Sequence, residues 1–287
     1  MQVYIYAKSG HNFGLENVRR TSAIFNRLKE LDPILCTADY RAATFAKYNL
    51  DVTKGVGVDL IGNMPNVMER GDILIYDDSG EASTTMQEHM KEYCTQLYKV
   101  GTDIAFDIVD EKYFTKQDTK REKAIFLADD DYANWFFELV KKSKKQDIPL
   151  LLGHYFFLGN EDILVNYFSE ILEEDEYQDI VQTTKYLLTA SVHTALESLA
   201  SGNSPVFFKR KDKEDIQNYN LIEKYNIPVI DVDKDSFEQI ISEFNTITSN
   251  YPEIKKIEKV DISSIKQSIE DILKKFAMIQ PALDYKY

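Results

Sequence analysis

Short runs of consecutive apolar residues alternate along the chain with longer stretches in which apolar residues recur every three or four positions. The short runs Gln2–Lys8, Pro33–Ala38, Asp72–Asp77, Ala124–Ala128, Pro149–Gly153, Tyr186–Thr189, Pro205–Lys209 and Pro228–Asp231 predict β-strands. Most are continuous rather than alternating, the pattern of parallel strands covered on both faces. Between them, Glu16–Glu30 places Val18, Ser22, Phe25 and Leu28 on one stripe of a helix. Asn134–Lys145 and Ser236–Phe244 read the same way. Strand–helix alternation predicts an α/β protein built on doubly wound parallel sheets.

The polar, charged stretch Tyr113–Lys123 interrupts this pattern before a fresh strand begins at Ala124. It divides the 287 residues into two expected Rossmann-like domains, 1–118 and 119–262, in keeping with about 150 residues per domain. A last helix, Ser263–Ile279, follows the final strand–helix pair, and 263–287 is a candidate to complete the first domain. No repeat and no low-complexity tract is present. Two such domains in tandem are expected to face one another across a cleft and to hold a ligand at the carboxyl ends of the strands. The loops that follow the strands are therefore where chemistry is expected.

Charge narrows the partners. The chain has 34 Lys and Arg against 48 Asp and Glu, a net charge of −14. Nucleic-acid backbones and anionic membrane surfaces repel such a protein, so neither is expected as a partner, while a local basic pocket for a phosphate is compatible. No apolar run approaches the ~20 residues of a membrane span. The start, Met1 to Tyr6, runs straight into polar sequence, unlike a signal peptide. A cytoplasmic protein is expected. Cys36 and Cys94 are too few for a disulfide framework or a Cys-only zinc site and predict two reduced, buried thiols. His11, His89, His154 and His193 are scattered without ligand spacing, so neither a metal nor another cofactor is expected. The acidic run Glu173–Glu176 reads as a solvated helix end.

Four loops hold candidate chemistry. After the first strand, Ala7 to Thr21 passes through Gly10, His11 and Gly14 before a helix opens near Leu15–Asn17. Small residues allow close backbone approach to a ligand and a helix N-terminus attracts anions, although turn glycines explain the same pattern. His11 is a candidate proton acceptor or a residue that fixes the loop. After the middle strand, Asp77 and Asp78 can orient hydroxyls, act as a base or cap the helix that starts at Ser83 or Thr84. Asp129-Asp130-Asp131 follows the strand at Ala124, and Asp129 or Asp131 is expected to cap the next helix. The loop His154-Tyr155-Phe156 suits stacking on a base or a place in the core.

The most specific pattern is Tyr186 to Phe208, a strand, a polar turn, a short helix, a glycine stop and a second strand. Ser191, His193 and Thr194 sit at the helix N-terminus, where hydroxyls and amide N–H groups suit a pyrophosphate. Glu197, one turn further in, can accept two hydrogen bonds from a ribose diol. The basic Lys209-Arg210-Lys211 that follows is expected at the solvated surface, with Lys209 able to meet a phosphate.

The first loop resembles that of the UDP-sugar hydrolases of pseudaminic acid synthesis, which reads close to A-D-G-S-H-E-I-G-L-G-H-V-M-R-C. Ala7, His11, Gly14, Leu15, Val18 and Arg20 fall on matching letters. Tyr186–Phe208 resembles the nucleotide-sugar motif S-x-x-T-x-x-E-x-x-x-x-G-x-P-V of the glycosyltransferase B fold, to which these hydrolases and the lipid II N-acetylglucosaminyltransferases belong. Thr194, Glu197 and Gly202 keep its spacing, and Pro205 comes one residue late. The resemblance implies two Rossmann-like domains of the glycosyltransferase B type and a UDP-type or CMP-type nucleotide sugar as partner. It also implies hydrolysis or transfer of the sugar in surface glycan or nonulosonic acid metabolism. Site residues are then His11, Asn17, Asp77 and Asp78 for catalysis, and Gly10, Gly14, Arg20, Ser191, His193, Thr194 and Glu197 for binding. Two departures stand out. Asn17 replaces the hydrolases' presumed base and has no titratable lone pair at neutral pH, although it can bond a sugar hydroxyl. Asp129–Asp131 replaces a G-G-S-D-like loop near the phosphates, and carboxylates repel a diphosphate. These departures leave a catalytically inactive binding or scaffold protein as the alternative.

Overall fold

A computed structural model describes residues 1–80, 82–131, 133–156, 159–213, 218–231 and 236–284, with side chains as far as Met278. The chain divides into two compact units. Unit 1 comprises Met1–Lys8, Asn17–Ile108 and the chain from Val260 onward; unit 2 comprises Ser9–Glu16 and Val109–Lys259.

Unit 1 is built on a five-stranded parallel sheet. Its elements in chain order are β1 (Val3–Ala7), α1 (Glu16–Arg27), β2 (Ile34–Thr37), α2 (Tyr40–Asn49), β3 (Gly55–Gly57), β4 (Ile73–Asp77), α3 (Thr84–Tyr93) and β5 (Gln96–Lys99). The strand order is β3-β2-β1-β4-β5. β1 and β4 are buried along their whole length, as continuous apolar runs require when both faces are covered. Tyr4, Tyr6, Leu74 and Tyr76 pack with Cys36, Met64 and Met90 on one face. Helix starts are set locally: Asp39 accepts the Ala42 N–H at 3.0 Å and Ser83 the Met86 N–H at 3.2 Å. Lys266 at the start of the C-terminal helix pairs with Glu30 at 2.6 Å, within unit 1.

Unit 2 carries a six-stranded parallel sheet. Its elements are β6 (Arg121–Phe126), α4 (Trp135–Val140), β7 (Leu150–Leu151), α5 (Glu161–Leu164), β8 (Ile171–Leu172), α6 (Tyr177–Thr183), β9 (Thr184–Thr189), α7 (Val192–Ala200), β10 (Val206–Phe208), α8 (Asn220–Lys224), β11 (Val229–Ile230) and α9 (Phe237–Ser249). The order is β11-β10-β9-β6-β7-β8. The last helix of the chain, α10 (Ser263–Asp284), belongs to unit 1. Counted from each unit's own first strand, both sheets run 3-2-1-4-5, and unit 2 adds a sixth strand. The order reverses between β1 and β4 and between β6 and β9. Such reversals open a crevice at the carboxyl ends of the strands, where doubly wound sheets take their ligands.

All eight expected strands form. Three further strands, β3, β5 and β8, lie beyond them. The glycines of β3 and the polar residues of β5 give no apolar run, and these strands sit at the sheet edges, where burial on both faces is not required. β6 begins at Arg121, inside the stretch expected as a linker, because Arg121 and Lys123 pair with Thr184 and Tyr186 of β9. Among the described residues no helix is long and apolar enough to cross a membrane.

Candidate functional site

In unit 1 the candidate residues meet where β1 and β4 end. Arg20 on α1 is buried, and its Nη1 donates to Asp77 Oδ2 at 2.5 Å and to Asn17 Oδ1 at 3.4 Å. Its guanidinium lies 5.2 Å from the Phe106 ring centroid. Burial pushes the Asp77 carboxyl up, and Arg20 pulls it back only in part, so it stays above the ordinary carboxylate range. Asp78 is engaged differently: its two oxygens accept the N–H groups of Gly80 at 3.0 Å and Ala82 at 2.7 Å, which forms the turn into α3. The turn passes through Ser79 at φ +59°. Asn17 Nδ2 donates to Ser79 Oγ at 2.5 Å.

The loop that follows β1 belongs to unit 2 from Ser9 to Glu16. Gly14 has φ +69°, and a Cβ there would lie 3.3 Å from Asp129 Cβ. Leu15 N–H donates to Asp129 Oδ2 at 3.1 Å, and Lys213 Nζ donates to the Asn12 carbonyl at 2.8 Å. Gly10 closes the loop by accepting the Phe13 and Gly14 N–H groups. His11 is exposed, with its ring centroid 5.0 Å from that of Tyr155. Tyr155 is held by its own N–H to the Asp129 carbonyl at 2.7 Å. Beside it, Gly153 sits so close that a Cβ would lie 2.2 Å from the Ala128 carbonyl oxygen. His154 Nδ1 is 2.5 Å from Glu174 Oε2, so the acidic run is bonded to this loop as well as leading into α6.

The three acids after β6 are each engaged by protein groups. Asp131 caps α4 by accepting the Phe136 and Phe137 N–H groups at 3.0 and 2.9 Å. Burial pushes its carboxyl up against those bonds and Arg210. Asp130 Oδ2 lies 3.0 Å from Lys213 Nζ. Arg210 is a correction to the surface role expected of the basic run: it is 4% exposed. Its fork grips Asp212 at 2.9 and 2.5 Å, and Nη1 donates to the Asp130 carbonyl at 2.6 Å. Burial lowers the guanidinium, but Asp212, Asp130 and Asp131 outweigh it and hold it above its ordinary value. A guanidinium can be buried only beside such carboxylates.

At the end of β9, Ser191 caps α7 by accepting the Thr194 N–H at 3.1 Å. Thr194 Oγ1 lies 2.8 Å from Ser191 Oγ and 2.7 Å from the Tyr177 hydroxyl. The Tyr177 hydroxyl also donates to Glu197 Oε2. His193 Nε2 is 3.5 Å from Glu197 Oε1. All five side chains are buried, Glu197 at 1% exposure. Ser191, His193, Thr194 and Glu197 are therefore one cluster. Tyr177 joins them from α6 without any sequence signal, since no motif spacing links it to a carboxylate twenty positions on. Asp212, the partner of Arg210, carries no such signal either. Among the described residues no three His, Cys, Asp or Glu side chains gather as metal ligands.

No family model matches the sequence, and no curated protein does. Solved structures do match. The UDP-GlcNAc 2-epimerase of Methanocaldococcus jannaschii, in complex with UDP-GlcNAc and UDP, superposes with a TM-score of 0.51 at 11% identity, over 96% of this chain and 100% of its own. Anabaena Alr3699/HepE, in complex with UDP, gives 0.50 at 10% identity, over 96% and 100%. The fold is of the glycosyltransferase B type. In this fold both sheets are parallel and doubly wound, which puts the loops after β1, β4, β6 and β9 at the reversals of strand order.

Proposed function

We propose that the chain binds a UDP-type nucleotide sugar and acts on its glycosyl bond in glycan assembly, passing the sugar to an acceptor hydroxyl or to water. The observation that carries this reading is the start of α7. A nine-residue helix opens two residues beyond β9, at the reversal of strand order, with Ser191, Thr194 and Glu197 in nucleotide-sugar spacing. Its first-turn amides and dipole would take the negative charge that develops on the departing diphosphate. The two structures named above hold UDP on the same fold, which favours a uridine nucleotide over a cytidine one.

His11 is the proton acceptor in this reading. Asp77 is bonded to Arg20 and Asp78 to two backbone amides; His11 is solvent-exposed, with its ring against that of Tyr155. Asn17 serves as a hydrogen-bonding group, Gly10 and Gly14 shape the loop, and Arg20 holds Asp77. A second reading, a binding protein without turnover, is favoured by the loop after β6. There Asp129, Asp130 and Asp131 are bound to protein groups where a diphosphate would need donors.

Calorimetric titration with UDP and with CMP, followed by assay of UDP release from UDP-sugars, decides between them. Binding of UDP with release that is lost in His11→Ala supports the enzyme. Binding without release supports the second reading. No binding of either nucleotide ends both.

A further inference from the structure

A proton acceptor works only within hydrogen-bond reach of the hydroxyl it serves, so its placement matters as much as its chemistry. His11 sits on a loop, between Gly10 and Asn12, where no helix or strand fixes it. The Gly10 carbonyl accepts the Phe13 and Gly14 N–H groups at 3.0 and 2.8 Å, which closes the turn on itself without fixing where it lies. Two side chains of unit 2 supply that. Asp129 Oδ2 accepts the Leu15 N–H at 3.1 Å on one flank of His11. Lys213 Nζ donates to the Asn12 carbonyl at 2.8 Å on the other, and lies 3.0 Å from Asp130 Oδ2.

The same short segment holds the group that His11 touches. The Asp129 carbonyl accepts the Tyr155 N–H at 2.7 Å. The Tyr155 ring, 1% exposed, lies 5.0 Å from the His11 ring at an interplanar angle of 56°, within the range of aromatic pairs. Asp129 therefore bonds to the His11 loop through its side chain and to Tyr155 through its backbone, and closes a ring of contacts behind the imidazole. Arg210 braces this base by donating to the Asp130 carbonyl at 2.6 Å. Asp129 is 2% exposed and Leu15 is fully buried, so water does not compete for their bond.

We propose that Asp129 and Lys213 are positioning residues that set the His11 imidazole for proton transfer by fixing Leu15 and Asn12 on the segment that also holds Tyr155. The task of His11 rests on the reading above; the placement of its ring rests on these contacts alone. The acids after β6 then have a use that a diphosphate loop would not give them.

Histidine-ring NMR on the full chain without ligand reads the placement. The His11 signals, assigned by their loss in His11→Gln, should lie away from those of an unstructured histidine, because the Tyr155 ring current acts on them. In Asp129→Ala and in Lys213→Met they should move toward the unstructured position. The signals of His89 on α3 and His193 on α7 should stay where they are and report an intact fold. Asp129→Asn, which keeps an oxygen for the Leu15 N–H, should restore the wild-type position. Lys213 has a side chain 31% exposed, so Lys213→Met carries the test if Asp129→Ala does not fold.

Turnover of a UDP-sugar reads the consequence. In Asp129→Ala and Lys213→Met kcat should fall by up to about a hundredfold, the cost of a misplaced catalytic group. In Asp129→Ala KM should change little, and Asp129→Asn should recover most of kcat. Both Asp129 variants lose the charge, so the difference between them reads position. Wild-type His11 signals at the unstructured position, signals that ignore both Asp129→Ala and Lys213→Met, or equal kcat in Asp129→Ala and the wild-type chain overturn the proposal. Signals that move as expected in a chain without turnover uphold the placement and end the proton-acceptor reading instead.

Discussion

Arg20 Nη1 lies 2.5 Å from Asp77 Oδ2, with both side chains 2% exposed. The pair joins α1 to the end of β4. Removing one member leaves the other charged in an apolar surrounding, which costs about 3–5 kcal/mol. Arg20→Met and Asp77→Asn are each expected to lower the unfolding free energy by about that amount in urea titrations. The double variant Arg20→Met with Asp77→Leu should recover much of the loss, since an apolar pair of similar volume replaces two buried charges. Single losses below about 1 kcal/mol would show a pair exposed to water.

Gly14→Ala is expected to destabilise by about 1–2 kcal/mol, because φ +69° is unfavourable for an L side chain and the new methyl meets Asp129 Cβ at 3.3 Å. A Cβ at Gly57 would meet nothing within 4 Å, and the backbone there has an ordinary φ. Gly57→Ala should therefore leave stability unchanged or raise it by about 0.5 kcal/mol. Equal effects at both positions in thermal unfolding would contradict this.

Ser191→Ala removes the cap of α7 and should cost about 0.5–2 kcal/mol of stability. Ser191→Gly, which keeps the backbone geometry accessible, should cost only a few tenths of a kcal/mol. Chemical denaturation of the two variants side by side measures the difference.

Burial pushes the Cys36 thiol up to about 12 and Cys94 to about 11. Both are free and buried. At pH 8, where an ordinary thiol with a pKa near 8.5 is about one-quarter ionised, these two should react slowly with a disulfide reagent in the native chain. Both should react fast after unfolding. A fast-reacting native thiol would mean that one of them is accessible.

Asp131 gives a pH dependence with a definite sign. Its carboxyl titrates above the ordinary value because of burial. The native chain therefore keeps a proton that the unfolded chain has released. This contribution to stability is complete below about pH 4 and is lost as pH rises through the native value. The stability of the wild-type chain relative to Asp131→Asn should fall as pH rises above about 4. A flat or rising difference would contradict the direction.

The apolar runs were legible because a strand covered on both faces is apolar where it is buried, as β1 is along its length and β4 is from Ile73 to Tyr76. The α7 segment was legible for a local reason: strand end, cap residue and helix lie within a few positions, so Ser191 meets Thr194 wherever the chain folds. Edge strands β3, β5 and β8 were not legible, since burial asks little of them.

Sequence alone determined the α/β class, the parallel sheets and the capped start of α7, because each depends on neighbours along the chain. Tertiary structure decided the partners of the charged and hydroxyl groups. Tyr177 reaches Glu197 across twenty positions, Arg20 reaches Asp77 across fifty-seven and Arg210 reaches Asp130 across eighty. A buried charge or hydroxyl is stable only beside a complementary group, and which group that is depends on the strand order that brings distant loops to one sheet edge.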